Sequence, residues 1–329
     1  MPHKYLVKDI ALQAGVGPAT VDRVLNGRGG VRAQTAARVR HAIAELDAQA
    51  GQLALSGRRL MIDVVAEAPQ NFLDALDRAL AEELPLMVPS VFRARTRMQT
   101  RFPIPDISRT LGQIARRGSH GVVLMAPQAP AIASAVDALE TAGIPVVTLA
   151  SDMGGTRRRG YVGLDNRRAG ETAAFFLGRC LGPDARIAVT LRNPGFRGEQ
   201  ERAEGFRRAI RARLPGAAVA LFEEGGDRAA FNAKLRAAAL RGIDALYSIG
   251  GSNRRLLGLI EGARPVVVAH DLQPDNLALL REGRIDLLIY HDFHEDIRNA
   301  CRIIAAVAAR QPLPVLPGAA LRLMMPPML

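Results

Sequence analysis

At 329 residues, with 48% hydrophobic and 23% charged side chains, the chain has room for a small module and a larger body with its own core. A net charge of +12 favours a polyanionic partner, because each Lys or Arg near a phosphate releases condensed counterions. Aromatics at 4% and the absence of Trp argue against a stacking platform for single-stranded bases, and no run of about eighteen apolar residues could span a bilayer.

The opening residues, Met1-Pro2-His3-Lys4-Tyr5, lack the apolar stretch of a signal peptide, so a cytoplasmic protein is expected. Residues 1–60 hold nine Lys/Arg and four Asp/Glu, which leaves +7 for the remainder. Val7, Ile10, Ala11 and Ala14 fall on one face at helical spacing, and Gly15 follows as a stop. Pro18 suits the first turn of a second helix reaching Leu25, with Val21, Val24 and Leu25 inward and Asn26-Gly27 ending it. A third helix is expected over Gln34–Leu46, with Ala37, Val39, Ile43 and Leu46 inward. Two short helices around a Gly-containing turn, closed by a third, make a helix-turn-helix. Its second helix would enter the major groove, so the outer face needs donors and small residues. Ala19, Thr20, Arg23 and Asn26 supply it, and Arg23 can pair bidentately with guanine.

Val7-Lys8-Asp9-Ile10-Ala11, Ala14-Gly15-Val16, Ala19-Thr20-Val21 and Arg23-Val24-Leu25-Asn26-Gly27 resemble the opening signature of the lactose-repressor (LacI/GalR) family. Val31, Thr35, Arg38-Val39, Ala42-Ile43 and Glu45-Leu46 continue it. The resemblance implies a DNA-facing set of Lys8, Pro18, Ala19, Thr20, Asp22, Arg23, Asn26 and Arg28. Gly17 and Asp22 stand where the family usually has Ser, and Asp22 is expected to take a hydrogen bond or salt bridge from an Arg of the module. The family's following segment is a hinge helix that wedges a leucine into the minor groove. Here residues 49–59 would be that hinge, or a flexible linker. Gly57 stands at the wedge position, and Leu53 or Leu55 could substitute.

From Leu60 onward, apolar strand-like runs alternate with amphipathic helices, the pattern of parallel sheets covered on both faces. Strands are expected at 61–66, 84–88, 121–125, 145–149, 161–164, 186–191, 217–222, 245–249, 266–269 and 286–290. The expected fold is an all-α module followed by α/β, two doubly wound parallel-sheet lobes, with domains at 1–48, 49–59 and 60–329. The lobes would be about 60–160 plus 291–321, and 161–290 plus 322–329. Cys180 and Cys301 fall in apolar helical patterns and read as reduced, buried thiols.

Such lobes bind ligands beyond the carboxyl ends of their strands. The residues there include Glu67, Gln70, Ser151, Asp152, Asp165, Asn166, Arg192, Gly250 to Asn253, His270, Asp271 and His291. This ring of donors and acceptors suits a hydroxylated solute. The body also resembles the sugar-binding core of the same family and of ribose-type periplasmic receptors, on Ile144–Leu149, Gly163-Leu164-Asp165-Asn166 and Glu201–Phe206. That resemblance assigns Arg202 to clamp hydroxyls or carboxylates, Asp271 and Ser252 or Asn253 to polar contacts, and Phe72 to stack on a sugar face. It places His291 where receptors often have Gln, and leaves Asp152 to compensate for Ala150. The candidate effector set is Gln70, Phe72, Asp152, Asp165, Arg202, Ser252, Asn253, Asp271 and His291.

His291-Asp292-Phe293-His294-Glu295 has a two-His helical spacing but no second cluster to complete a metal site. No nucleophile elbow or phosphate loop occurs, and neither a metal nor a cofactor is expected. The resulting expectation is a homodimeric transcription regulator binding operator DNA and a sugar, polyol or sugar acid. A sugar-acting enzyme or a solute-binding receptor using the same cleft is the alternative.

Overall fold

The computed structural model describes residues 3–55, 57–260, 262 and 264–328, and for residues 48–55 the backbone alone. Three helices open it: α1 (Val7–Ala14), α2 (Pro18–Leu25) and α3 (Ala33–Leu55). Gly15 ends α1 at φ 62°, a left-handed conformation that costs glycine no Cβ clash. Arg38 of α3 fixes that turn by donating to the carbonyls of Ala14 (2.7 Å) and Gly15 (3.2 Å). Ile10, Ala11, Ala14, Val21, Val39 and Ala42 form the small core.

The helix expected to stop at Leu46 continues to Leu55, so the backbone of residues 49–55 is helical rather than a separate linker. Residues 47–55 contain no proline, and Ala, Gln and Leu are good helix formers. Gly51 alone, at about 1 kcal/mol, is too weak to stop the helix.

The body continues as β1 (Arg59–Glu67), α4 (Gln70–Glu83), β2 (Val91–Gln99), α5 (Ile104–Arg117), β3 (Gly121–Met125), α6 (Pro130–Thr141), β4 (Val146–Leu149) and β5 (Gly160–Val162). Then follow α7 (Asn166–Cys180), β6 (Arg186–Leu191), α8 (Arg197–Arg213), β7 (Ala218–Glu223), α9 (Arg228–Leu240), β8 (Ala245–Ser248) and α10 (Asn253–Leu259). The chain closes with β9 (Val266–His270), α11 (Pro274–Arg281), β10 (Leu287–Tyr290), α12 (Phe293–Ala308) and β11 (Arg322–Met324). Two sheets result, ordered β2-β1-β3-β4-β5 and β11-β10-β9-β8-β6-β7. Every pairing is parallel except β10 with β11. Buried cores line both faces of each sheet, as two doubly wound lobes require. After β10 the chain crosses back, and α12 packs on α4, β4 and β5 of the first lobe.

The strand expected at 84–88 is absent. Leu84–Leu86 form one 3-10 turn and the strand begins at Val91. Pro85 and Pro89 withhold ladder donors from the apolar run. The actual strand, with Arg93, Arg95 and Arg97 alternating, is the edge of its sheet and needs one buried face only. Cys180 also departs from expectation. It is exposed at the last position of α7, whereas Cys301 is buried in α12.

Helices α7 and α8 pack backbone to backbone. A Cβ on Gly170 would overlap the carbonyl of Arg202, and one on Gly205 that of Arg167. Gly170→Ala should therefore destabilise the fold by about 1–3 kcal/mol, as overpacking does, measured by urea unfolding. A wild-type midpoint would refute the close contact.

Candidate functional site

Two surfaces carry the sequence candidates. On the first, α2 exposes Pro18, Ala19 and Arg23, with Asn26 at its end and Thr20 half-buried; Lys8 is exposed on α1. Asp22 accepts from Asn26 Nδ2 (2.7 Å) and from Arg28 Nη1 (3.0 Å). The expected Arg partner is thus Arg28, and three of the candidates are bonded to one another. Arg23 makes no hydrogen bond or ion pair with any described residue, so its guanidinium is the donor left for a partner. The side chains of Leu53 and Leu55 lie outside the described residues. Asp22→Ser should free Arg28 and remove an anion. The slope of log affinity against log salt for DNA should then steepen by about one; an unchanged slope would place Asp22 away from phosphate.

The second surface lies between the carboxyl ends of the two parallel sheets, where there is a partly open cavity of about 60 Å³. The first lobe contributes Asn71 and Phe72 of α4, Met125 at the end of β3, and Ala150 and Ser151 after β4. The second contributes Arg192 and Phe196 before α8, Glu199 and Arg202 within it, Ser248 at the end of β8 with Ile249 to Gly251 and Asn253 beyond it, and His270 at the end of β9 with Asp271, Gln273 and Asn276 beyond it. Hydrogen bonds join the lobes across the cavity rim: Gly198 N–H to Ser151 Oγ (3.1 Å), Gln128 N–H to Gly195 O (2.8 Å) and Asn193 Nδ2 to Glu67 Oε1 (3.4 Å).

Arg202 is buried on α8, its Nε donating to Asn166 Oδ1 (2.7 Å) and its Nη1 to Ile249 O (3.3 Å). These contacts fix the guanidinium plane against the cavity. Glu199 Oε2 accepts from the backbone N–H of Arg192 (2.8 Å) and Asn193 (3.1 Å). Burial pushes the Glu199 carboxyl above its usual range, opposed chiefly by the Arg192 charge. Asn253 accepts from Ser248 Oγ (2.5 Å) and donates to Asn276 (2.8 Å), which in turn donates to the carbonyls of His270 and Asp271. Asp271 is held at φ 72°, rare for a residue with a side chain, and its carboxylate pairs with no described residue. Donors and carboxylates around so small a space match a solute in which each hydroxyl both gives and accepts.

Phe72, Arg202, Asn253 and Asp271 of the expected set line this cavity; five others do not. Gln70 is exposed and donates to Asp74 (2.8 Å), leaving its neighbour Asn71 inward. Asp152 is bound to Arg158 and Thr148, so it does not stand in for the acid missing at Ala150. Asp165 and Ser252 cap α7 and α10, accepting from Arg168 and Arg255 N–H, and point at helix ends instead. His291 is buried against Asp296, with Nδ1 2.5 Å from Oδ2. Ser151, Arg192 and His270 were legible as strand-end residues. Asn71, Glu199, Gln273 and Asn276 were missed because they belong to the start of the next helix, Gln273 as the cap of α11 and the others in a first turn. Counting helical positions forward from each strand end would have found them. Among the described residues no group of three or more His, Cys, Asp or Glu could hold a metal ion, and no helix is long and apolar enough to cross a membrane.

Residues 110–312 match the family described as periplasmic binding protein domain, and residues 6–48 match bacterial regulatory proteins, lacI family. The chain is 32% identical over 127 residues to the HTH-type transcriptional regulator TreR of Salmonella typhimurium, covering 38% of this chain and 39% of that one. It is 30% identical over 93 residues to the ribose import binding protein RbsB of Bacillus subtilis, covering 28% and 30%. The matches thus span between about a third and two fifths of these relatives. In fold it is similar to GanP, a glucose-galactose binding protein from Geobacillus stearothermophilus, with a TM-score of 0.71 at 18% identity over 83% of this chain and 98% of that one. A putative LacI transcriptional regulator from Bacteroides fragilis gives a TM-score of 0.71 at 15% identity over the same shares.

Proposed function

Since this chain belongs to the family of the periplasmic binding protein domain and carries a lacI-family region at residues 6–48, we propose that it is a sequence-specific transcription regulator, a repressor, whose operator affinity responds to a small sugar-like effector. One observation carries the reading: a single chain joins an exposed α2, with a free Arg23, to an inter-lobe cavity lined by Arg202, Arg192, Glu199 and Asp271. A DNA module needs no such cavity, and a solute carrier needs no such helix.

In this reading Arg23 reads a base, Thr20 and Lys8 contact phosphates, and Arg202, Asp271, Asn253 and Phe72 hold the effector, joined by Arg192, Glu199 and Ser151. Two copies act together, because one short helix reads few bases and paired half-sites multiply specificity. Effector bound across the lobes changes their angle, and with it the spacing of the paired modules. The coupling can be no larger than the effector's differential affinity for the two arrangements.

The test is a thermal-shift panel of sugars, polyols and sugar acids, followed by operator anisotropy with each hit. A ligand at a hundred times its dissociation constant should stabilise the protein by about 2.7 kcal/mol and alter operator affinity. Binding without any change in DNA affinity would favour a receptor, and consumption of the ligand an enzyme. Arg23→Ala should cost about 1–3 kcal/mol at one base position, read from a set of operator variants. A uniform loss over all sequences would remove Arg23 from base reading.

A further inference from the structure

We propose that His270 reads the effector with its Nδ1–H, offering one fixed hydrogen-bond donor to an oxygen of a neutral monosaccharide, with the tautomer set by Tyr247. This rests on the sugar-cleft reading above and adds to it a donor direction and a ligand charge.

His270 ends β9 and is 4% exposed among the cavity-lining residues. Its Nε2 lies 2.8 Å from the Tyr247 hydroxyl, while its buried Nδ1 has no partner among the described residues. Buried polar atoms are normally satisfied, so one left open on a cavity-lining residue points to a group supplied from outside. The direction of the bond follows from the phenol. Tyr247 is fully buried, with its ring against Phe206 (centroids 4.8 Å), and its hydroxyl meets no other described group. Its proton is satisfied only by donation to Nε2. Nε2 is then the acceptor, and a neutral imidazole carries its hydrogen on Nδ1.

Burial holds His270 well below the usual histidine range, and the charges of Arg202 and His291 push it the same way. The ring therefore presents a donor without a charge. The charged side chains lining the cavity are Arg192 and Arg202 against Glu199 and Asp271. Two cations face two anions, which favours an uncharged sugar over a sugar phosphate or sugar acid. A site built to donate to a ligand oxygen also rejects the analogue lacking it, since the buried N–H is then stranded.

The experiment uses the full chain with histidine ring nitrogens labelled, the His270→Phe variant assigning the signals. Around neutral pH the expected spectrum is the neutral Nδ1–H tautomer; an Nε2–H tautomer or an imidazolium would overturn the proposal. Calorimetric titrations with D-glucose, D-galactose, D-ribose and D-allose, each beside its phosphate ester where one exists, then test the ligand. His270→Phe should weaken the bound sugar by at least about tenfold, His270→Gln, which keeps a donor, by only a few-fold, and Tyr247→Phe by an intermediate amount. Affinity within about twofold of wild type for folded His270→Phe, or tighter binding of the phosphate ester, would refute it. Absence of heat from every sugar with the wild type would instead count against the sugar-cleft reading, while the tautomer still decides what His270 offers.

Discussion

Replacing Arg202 with Ala is expected to cut ligand-induced stabilisation sharply, the largest functional effect any single cavity residue should have. Arg202 is the one cavity-lining cation tied by hydrogen bonds to two elements outside its own helix, Asn166 of α7 and the carbonyl after β8. A hydrogen bond involving a charged group contributes about 1.5–3 kcal/mol, so losing the guanidinium should weaken effector binding about 10- to 150-fold. The substitution also strands Asn166 Oδ1, adding a stability cost of about 1–3 kcal/mol in urea unfolding. Arg202→Lys should not restore binding, because a point charge cannot hold Asn166 and the ligand in one plane. A variant retaining the wild-type thermal shift would show that the ligand sits elsewhere.

β3 and β6 were found at their observed bounds because strands buried on both faces read as unbroken apolar runs. β2 was missed because an edge strand needs no such run, and its arginines hid the one buried residue, Phe92. Arg202 was placed through a family resemblance, since nothing in Glu201–Phe206 alone says that its guanidinium reaches the Ile249 carbonyl after β8. The errors at Asp165 and Ser252 share one cause. A residue just after a strand is also the residue just before a helix, and Asp and Ser there serve the helix N–H groups first. The next residues along point elsewhere: Asn166 accepts from Arg202, and Asn253 lines the cavity.

Asp296→Ala should cost about 3–5 kcal/mol of stability, the largest loss expected from one substitution in the crossover between lobes. Asp296 and His291 each have a side chain 1% exposed, and their closest atoms are 2.5 Å apart. His291 leaves β10 of the second lobe and Asp296 lies one turn into α12, which packs on the first. The pair therefore closes the first turn of the segment that crosses from one lobe to the other. Removing the carboxylate leaves an imidazole buried without its partner, whereas Asp296→Asn keeps an acceptor and should cost less. The neighbouring pair of Asp292 with Arg322, 3.4 Å apart and partly exposed, provides the control, worth about 0–1 kcal/mol. A double-mutant cycle of Asp296→Ala with His291→Ala in urea unfolding isolates the coupling. Additive losses would mean that the two groups are neighbours without being partners, and the crossover would then be held by the packing of Phe293 on Phe72 (centroids 4.6 Å) rather than by a buried polar bond.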